Sequence, residues 1–221
     1  MLKDYSDKLD EINGKMLAIT QDILEANEHI LSGLQECNKE LLDNAKNKLK
    51  NMSARTTDID NSIVKILALY SPEAKDLRFA VSFFKMSNEL LRASSNTRTF
   101  ISGLSNYCTE LDETTVKDFA VPMQKSTIEC LSNVVKMIKS TSNDEIQEFF
   151  NQIVISENKT DEYYELLQDS IYKKAPNIDD FGKFTKILRA LRKSEKIADR
   201  ALDIATLIHF ARIGGKLGHL E

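Results

Sequence analysis

Glu195, Asp199 and Asp203 recur every four residues in the stretch SEKIADRALDIA, which runs from Ser194 to Ala205. In a helix a step of four residues turns the chain by only about 40°, so the three carboxylates form one column roughly 12 Å long. Like charges at that spacing repel. The column is either a solvated face relieved by Lys193, Lys196 and Arg200 or one wall of a cation site. A second acidic column has the same spacing: Glu157, Asp161 and Glu165 in ENKTDEYYELL. If the two stretches lie on consecutive antiparallel helices with their turn near Ile178, residues equidistant from that turn share a level, on axes about 8–10 Å apart. Asp161 then faces Glu195, and Glu157 faces Asp199. Six carboxylates in one seam are costly without a cation. Oxygen donors with neither Cys nor a nearby His select hard or borderline ions such as Mg²⁺, Mn²⁺, Ca²⁺ or iron, and the seam is long enough for more than one. Lys159, Lys193 and Lys196 offer the competing way to neutralise it.

The elements that must position these columns are helices almost throughout. The chain has only seven Gly and three Pro, and apolar residues return at three and four, as in Leu9, Ile12, Met16, Ile19 and Ile23. A first helix is expected to end near Ser32-Gly33, and a second to run from about Cys37 to Tyr70. YSPE stops it, with Ser71 as N-cap and Pro72 as the first helical residue of a third helix that continues to about Tyr107. The polar stretch SNYCTELDETTVKD is the expected join between halves. VPMQKSTIECLSNVVKMI begins a fourth helix with Pro122 in its first turn, and STSNDE breaks it. A fifth helix is expected from about Asp144 to Lys174. APNIDD makes the turn, and a sixth helix covers about Asp179 to Arg212 before GGKLG.

Three helices, a join and three more helices suggest an internal duplication, and an offset of 104 residues places Pro72 on Pro176 and Asp76 on Asp180. The expected architecture is all-α, two tandem three-helix bundles related by a pseudo-repeat, with residues 1–108 forming the first and 112–214 the second. The same offset carries the six acids onto Ser53, Thr57, Asn61, Leu91, Ser95 and Thr99, none of which is acidic. Glu89, Asp58 and Asp60 are displaced from those positions, so a cation site is expected in the second bundle alone.

Composition narrows the function. The chain has 221 residues, 42% of them hydrophobic and 29% charged, enough for a substantial core. Its net charge of -4 offers nucleic acid no general attraction. No segment approaches the run of about 18 apolar residues that a membrane span needs, and the opening MLKDYSDKLDEING is too polar for a signal peptide, which predicts a cytoplasmic protein. Cys37, Cys108 and Cys130, odd in number and far apart, read as buried thiols in a reducing compartment. There is no Gly-rich phosphate loop, no His-Glu-x-x-His and no Cys-x-x-Cys. Nor is there the Glu-x-x-His that ferritin-like di-iron bundles use. His29 and His209 read as surface or packing residues, and the Phe83-Phe84 and Phe149-Phe150 pairs as core or interface aromatics.

The stretch KDLRFAVSFFKMSNELLRASSNTRTF after YSPEA, together with ENKTDEYYELL and SEKIADRALDIA, resembles the PhoU family of bacterial phosphate-uptake regulators. The most specific pieces are the turn Pro72, Asp76, Leu77, Arg78 and the Glu-x-x-x-Asp motif at Glu195 and Asp199. The resemblance implies two tandem three-helix bundles whose acidic motifs bind metal ions, here Glu195, Asp199 and Asp203 with Asp161, Glu157 and Glu165. The metal would be divalent or trivalent (iron, Mn, Mg or Zn) and multinuclear. It further implies a cytoplasmic homodimer that is not an enzyme. Such a protein keeps the phosphate-starvation response off by contact with the Pst transporter's ATPase and the PhoR sensor histidine kinase, meeting the membrane only through those partners. A metal-dependent hydrolase or redox enzyme using the acidic cluster, and a metal-free helical scaffold, are the alternatives.

Overall fold

The computed structural model describes residues 2–174 and 178–215. Seven helices account for most of them: α1 (Leu2–Glu36), α2 (Lys39–Lys48), α3 (Met52–Tyr70), α4 (Ala74–Tyr107), α5 (Val121–Lys139), α6 (Asn143–Lys174) and α7 (Ile178–Arg212). A 3₁₀ turn (Cys108–Glu110) and a π-helical turn (Thr115–Ala120) join α4 to α5, and no strand occurs among the described residues. The first bundle comprises α1, the α2–α3 rod and α4, and the second α5, α6 and α7. The bundles lie side by side, with α4 packed along α7 and α1 along α5.

Each helix buries the stripe that its sequence period dictates. On α1 this is Ile12, Met16, Ile19, Ile23, Ile30 and Leu34, all essentially inaccessible to water. α1 also runs past its expected end at Ser32-Gly33. Gly33 is not a cap but a contact point, since a Cβ there would lie 2.7 Å from Leu42 Cδ2 of α2. The expected second helix is broken in two. Asn51 adopts the left-handed conformation (φ 58°), which Asn tolerates better than most residues, and this ends α2 before α3 begins. Asn38 caps the new start, its side chain accepting from the Glu40 and Leu41 amides. Ser71 is likewise left-handed (φ 45°) and closes α3 instead of capping α4, which starts at Ala74 after Glu73. A residue preceding proline is biased away from the helical region, and Ser71 precedes Pro72. Pro122 does sit in the first turn of α5. APNIDD and GGKLG extend beyond the described residues, as does Pro176.

The pseudo-repeat is visible in element boundaries. Ala74 opens α4 and Ile178 opens α7, 104 positions later; Lys39 opens α2 and Tyr70 closes α3, and the same offset lands them on Asn143 and Lys174, the two ends of α6. The unbroken α6 thus corresponds to the broken α2–α3 rod.

A fully buried polar chain pins the bundles together. Gln124 of α5 donates to both oxygens of Asn27 on α1 at 3.0 Å, and Asn27 reaches Thr97 of α4 at 3.3 Å. On its other side the Gln124 carbonyl accepts from Ser194 of α7 at 2.7 Å, and Thr127 lies 2.9 Å from the same hydroxyl. Paired in this way, these groups avoid the penalty for burying unsatisfied polar atoms.

Cys37 and Cys108 are joined as a disulfide (Cα–Cα 5.5 Å), in contrast to the three separate thiols expected from the sequence, so the cysteines give no support to a reducing compartment. The end of α1 and the end of α4 meet, so residues 71 apart in sequence become neighbours. Cys130 alone is a free buried thiol, its pKa pushed well up by desolvation and then by Glu157 and Glu129. No described helix is long and apolar enough to cross a membrane.

Candidate metal centre

The sequence SENKTDEYYELL continues α6 without a helix breaker, so Glu157, Asp161 and Glu165 stand on one face of a straight rod. Ser156 and Thr160, each immediately before an acid of the column, are buried, and Ser156 donates to Glu129 of α5 at 2.9 Å. On α7, Ile197, Ala198, Ala201 and Ile204 are buried, which turns Asp199 and Asp203 toward the edge of the groove. The two rods bring one carboxylate oxygen each of Glu157, Asp161 and Asp199 within 4.8 Å of one another. These three, with Glu195 and Asp203, line a groove of about 750 Å³.

The six acids are not equivalent. Glu195 is 8% exposed and its Oε2 is a buried oxygen with no hydrogen-bond partner; the nearest guanidinium nitrogen, Arg192 Nε, stays 3.8 Å away. Asp203 is held by Arg200 at 2.7 Å. Glu165 is exposed, does not line the groove, and reaches the cluster only through its field on Asp161.

Burial and mutual repulsion set the protonation of the cluster. Desolvation, then Asp161, Asp199 and Glu195, push Glu157 up to about 7, with Lys196 opposing. Desolvation and then Asp199 raise Asp161, and desolvation also raises Glu195 against the pull of Lys196. Lys196 is the resident counter-charge: its Nζ lies 2.8 Å from Glu195 Oε1 and 2.7 Å from Asp199 Oδ2. Lys193, another of the lysines that could neutralise the seam, turns away to Asn96 Oδ1 at 3.3 Å.

The opposite wall of the groove comes from the first bundle, where no site residue was expected. Lys85, Asn88, Glu89 and Arg92 of α4 face it, and Arg200 donates to Glu89 at 2.9 Å while Arg92 pairs with Glu89 at 3.0 Å. These residues form a polar stripe at helical spacing, which in sequence reads as a solvated face. Asp58 pairs with Lys15 at 2.8 Å and Asp60 accepts from Ser87, so neither joins a cluster. The positions equivalent to the acids do come together: Ser53, Leu91, Ser95 and Thr99 share one small groove on the first bundle.

Residues 15–98 match the family model for the PhoU domain. Over that span, less than half of the chain, the sequence is similar to the PhoU domain. Among solved structures it is similar to PhoU from Pseudomonas aeruginosa, with 18% identity, a TM-score of 0.82 and coverage of 96% of this chain and 100% of that one. The phosphate transport system regulatory protein PhoU from Streptococcus pneumoniae aligns at 20% identity and a TM-score of 0.78, over 98% of this chain and 100% of that one. A putative PhoU-like phosphate regulatory protein from Shewanella oneidensis MR-1 aligns at 11% and 0.61, over 90% and 97%. No curated protein matches the sequence. At these identities the structural likeness establishes the fold: PhoU-like, all-α, two tandem bundles. The matched span, from α1 to α4, is the half whose acidic motif is missing, so the PhoU signature here rests on the helical frame and not on the acids.

His209 packs against Phe150 with ring centroids 5.0 Å apart and bonds Gln147 at 2.8 Å, as a packing residue would. Phe83 and Phe150 are in the core, whereas Phe84 is 47% exposed on α4.

Proposed function

We propose that this protein is a non-enzymatic regulator of phosphate uptake and phosphate-starvation signalling. It acts by contact on a phosphate transporter's ATPase and a sensor histidine kinase, as a cytoplasmic homodimer with metal bound to its second bundle. The PhoU-domain match over residues 15–98 is the observation that carries the regulatory reading. The fold shared over 98% of the chain with a phosphate transport system regulatory protein supports it.

The metal reading rests on the donor set. Three carboxylates converge within 4.8 Å, and Glu195 adds a buried oxygen without a partner. All-oxygen ligation suits the hard ion Mg²⁺ and the harder borderline ions Mn²⁺ and iron, and Zn²⁺ less well. Glu157, Asp161, Asp199 and Glu195 hold the ion, and Asp203 joins when Arg200 releases it. A bound cation supplies positive charge at the surface, which favours an anionic group on a partner or phosphate itself. Lys196 must leave Glu195 and Asp199 for these oxygens to become ligands, so the lysine competes directly with the metal. A partner that prefers one transporter or kinase conformation shifts that population by its difference in affinity.

The decisive experiment deletes the gene and measures alkaline phosphatase expression and phosphate uptake in high phosphate. Derepression of both, reversed by the wild-type gene, is expected; unchanged signalling overturns the regulatory reading. Metal analysis of the purified protein and of Asp161→Ala, Asp199→Ala tests the centre separately. Loss of bound metal in the double variant is expected, and equal metal content in both proteins removes it.

A further inference from the structure

On the far side of Lys196 a second groove, of about 670 Å³, runs between the later turns of α4 and the early turns of α7. Its lining carries five cationic side chains and no carboxylate, the inverse of the acidic groove. Lys186, Arg189, Lys193 and Lys196 are spaced so that they fall along one side of α7, a row roughly 15 Å long with its first three members within about 10 Å. Facing them on α4 are Thr99, Ser102 and Asn106, which offer hydroxyl and amide groups. The floor is apolar and close-packed: Gly103 meets Ala190 so tightly that a Cβ on the glycine would lie 2.5 Å from the alanine Cβ.

The cations of this row are not all committed elsewhere. Lys186 and Arg189 are exposed and have no ion-pair partner among the described residues. Lys193 has only the neutral Asn96 amide oxygen. Arg192 lies over the Tyr164 ring and beside Glu195, and Lys196 is held by Glu195 and Asp199, so these two form the border with the acidic groove. Unpaired cations kept close together in a chain of net charge -4 are electrostatically unfavourable unless an anion screens them.

We propose that this groove binds a linear chain of phosphoryl groups, with Lys186, Arg189 and Lys193 as its cationic contacts and Ser102 and Asn106 as neutral donors. A single orthophosphate is too short to engage a row of this length, whereas three consecutive phosphoryl groups reach along it. Free oligophosphate and a nucleoside triphosphate share this chemistry. The proposal stands on the basic row and does not depend on a metal in the neighbouring groove.

Isothermal titration calorimetry on the full chain, with sodium tripolyphosphate, ATP without magnesium and orthophosphate as separate probes, tests it. Tripolyphosphate is expected to bind, and Lys186→Glu, Arg189→Glu is expected to weaken it by at least about tenfold, one decade in Kd. Both residues are exposed, and a far-UV spectrum confirms that the variant is folded. Charge reversal of a remote lysine, Lys125→Glu, should leave binding unchanged. Equal affinity for tripolyphosphate and ATP assigns the free chain as sufficient. Tighter binding of ATP than of tripolyphosphate assigns the nucleoside form. The proposal is overturned if tripolyphosphate does not bind, if orthophosphate binds equally well, or if the Lys186, Arg189 variant binds like wild type.

Discussion

Arg200 Nη1 lies 2.9 Å from Glu89 Oε2, an ion pair that crosses from α7 to α4 with both side chains largely buried. The same guanidinium nitrogen holds Asp203 at 2.7 Å, and Nη2 comes within 3.8 Å of Asp199. Arg200 therefore joins the bundles and quiets one end of the acid column together.

Removing one member of that pair leaves the other as a poorly solvated charge. Glu89→Ala and Arg200→Ala should each lower the free energy of unfolding by about 1–3 kcal/mol, the range for hydrogen bonds to charged groups. Urea titrations of both single variants and the double variant measure the coupling. A coupling energy of at least about 1 kcal/mol is expected, and additive losses would show that the pair contributes nothing to holding the seam.

Lys196→Gln should have opposite effects with and without metal. Without metal the variant loses the counter-charge on Glu195 and Asp199 and melts at a lower temperature than wild type. With metal it has no competing ammonium to displace, so its affinity for Mn²⁺ should rise by about tenfold, equivalent to ~1.4 kcal/mol. Fluorescence-monitored metal titration and thermal melts read both. A weaker metal affinity in the variant would mean that Lys196 supports the site and does not compete for it.

Acidification should stabilise the metal-free protein between pH 7 and 5. Glu157 titrates at about 7 in the fold against an ordinary value of 4.5, so over that window the folded chain binds more protons than the unfolded one. Stability then rises as pH falls, and the penalty for an ionised Glu157 is present in full only above about pH 7. Glu157→Gln should flatten this part of the profile, as measured by denaturant midpoints at half-unit pH intervals. Metal affinity should change in the other direction, weakening below pH 7 as protons compete for the same oxygens.

Reduction should loosen the first bundle. The Cys37–Cys108 bond closes a loop of 71 residues, worth up to about 4 kcal/mol in the chain-entropy view. Thermal melts with and without reductant, and of Cys37→Ser, should show a common loss of stability. Thiol labelling of the native protein should modify neither Cys130, which is buried, nor the bonded pair until reductant is added. Labelling at Cys37 without reductant would contradict the bond.

The fold was readable in the sequence because its signals are local. Apolar residues at three and four define α1, and Pro122 marks the start of α5. The offset of 104 holds because α6 and α7 keep their helical phase without interruption. Errors fell where a local signal had two physical uses. Gly33 resembled a stop but makes room for Leu42, and Asn51 looked like an ordinary helical residue but takes the left-handed turn. The facing of Glu157 and Asp199 was legible because both lie on helices that are consecutive in the chain, α6 ending at Lys174 and α7 beginning at Ile178. The α4 wall of the groove was not, because packing of α4 on α7 is a contact between the two halves, and helical period carries no information about it. The same holds for Cys37 and Cys108, whose proximity depends on where α1 and α4 end in space.

The Gln124–Asn27–Ser194 chain limits how the two bundles can move. Its donors and acceptors are matched in one alignment of α1, α4, α5 and α7, and a slip of one helical turn, about 5.4 Å, would strand several amide and hydroxyl groups in a dry interior at about 1–3 kcal/mol each. The long helices thus behave as a keyed joint, free to breathe at their ends but not to ratchet past one another. Ser194 is both part of the key and the immediate neighbour of Glu195. The direction in which the acid column points is consequently fixed from inside the protein, and exchange of ions at its surface can proceed by side chains changing partners while the backbone stays in register.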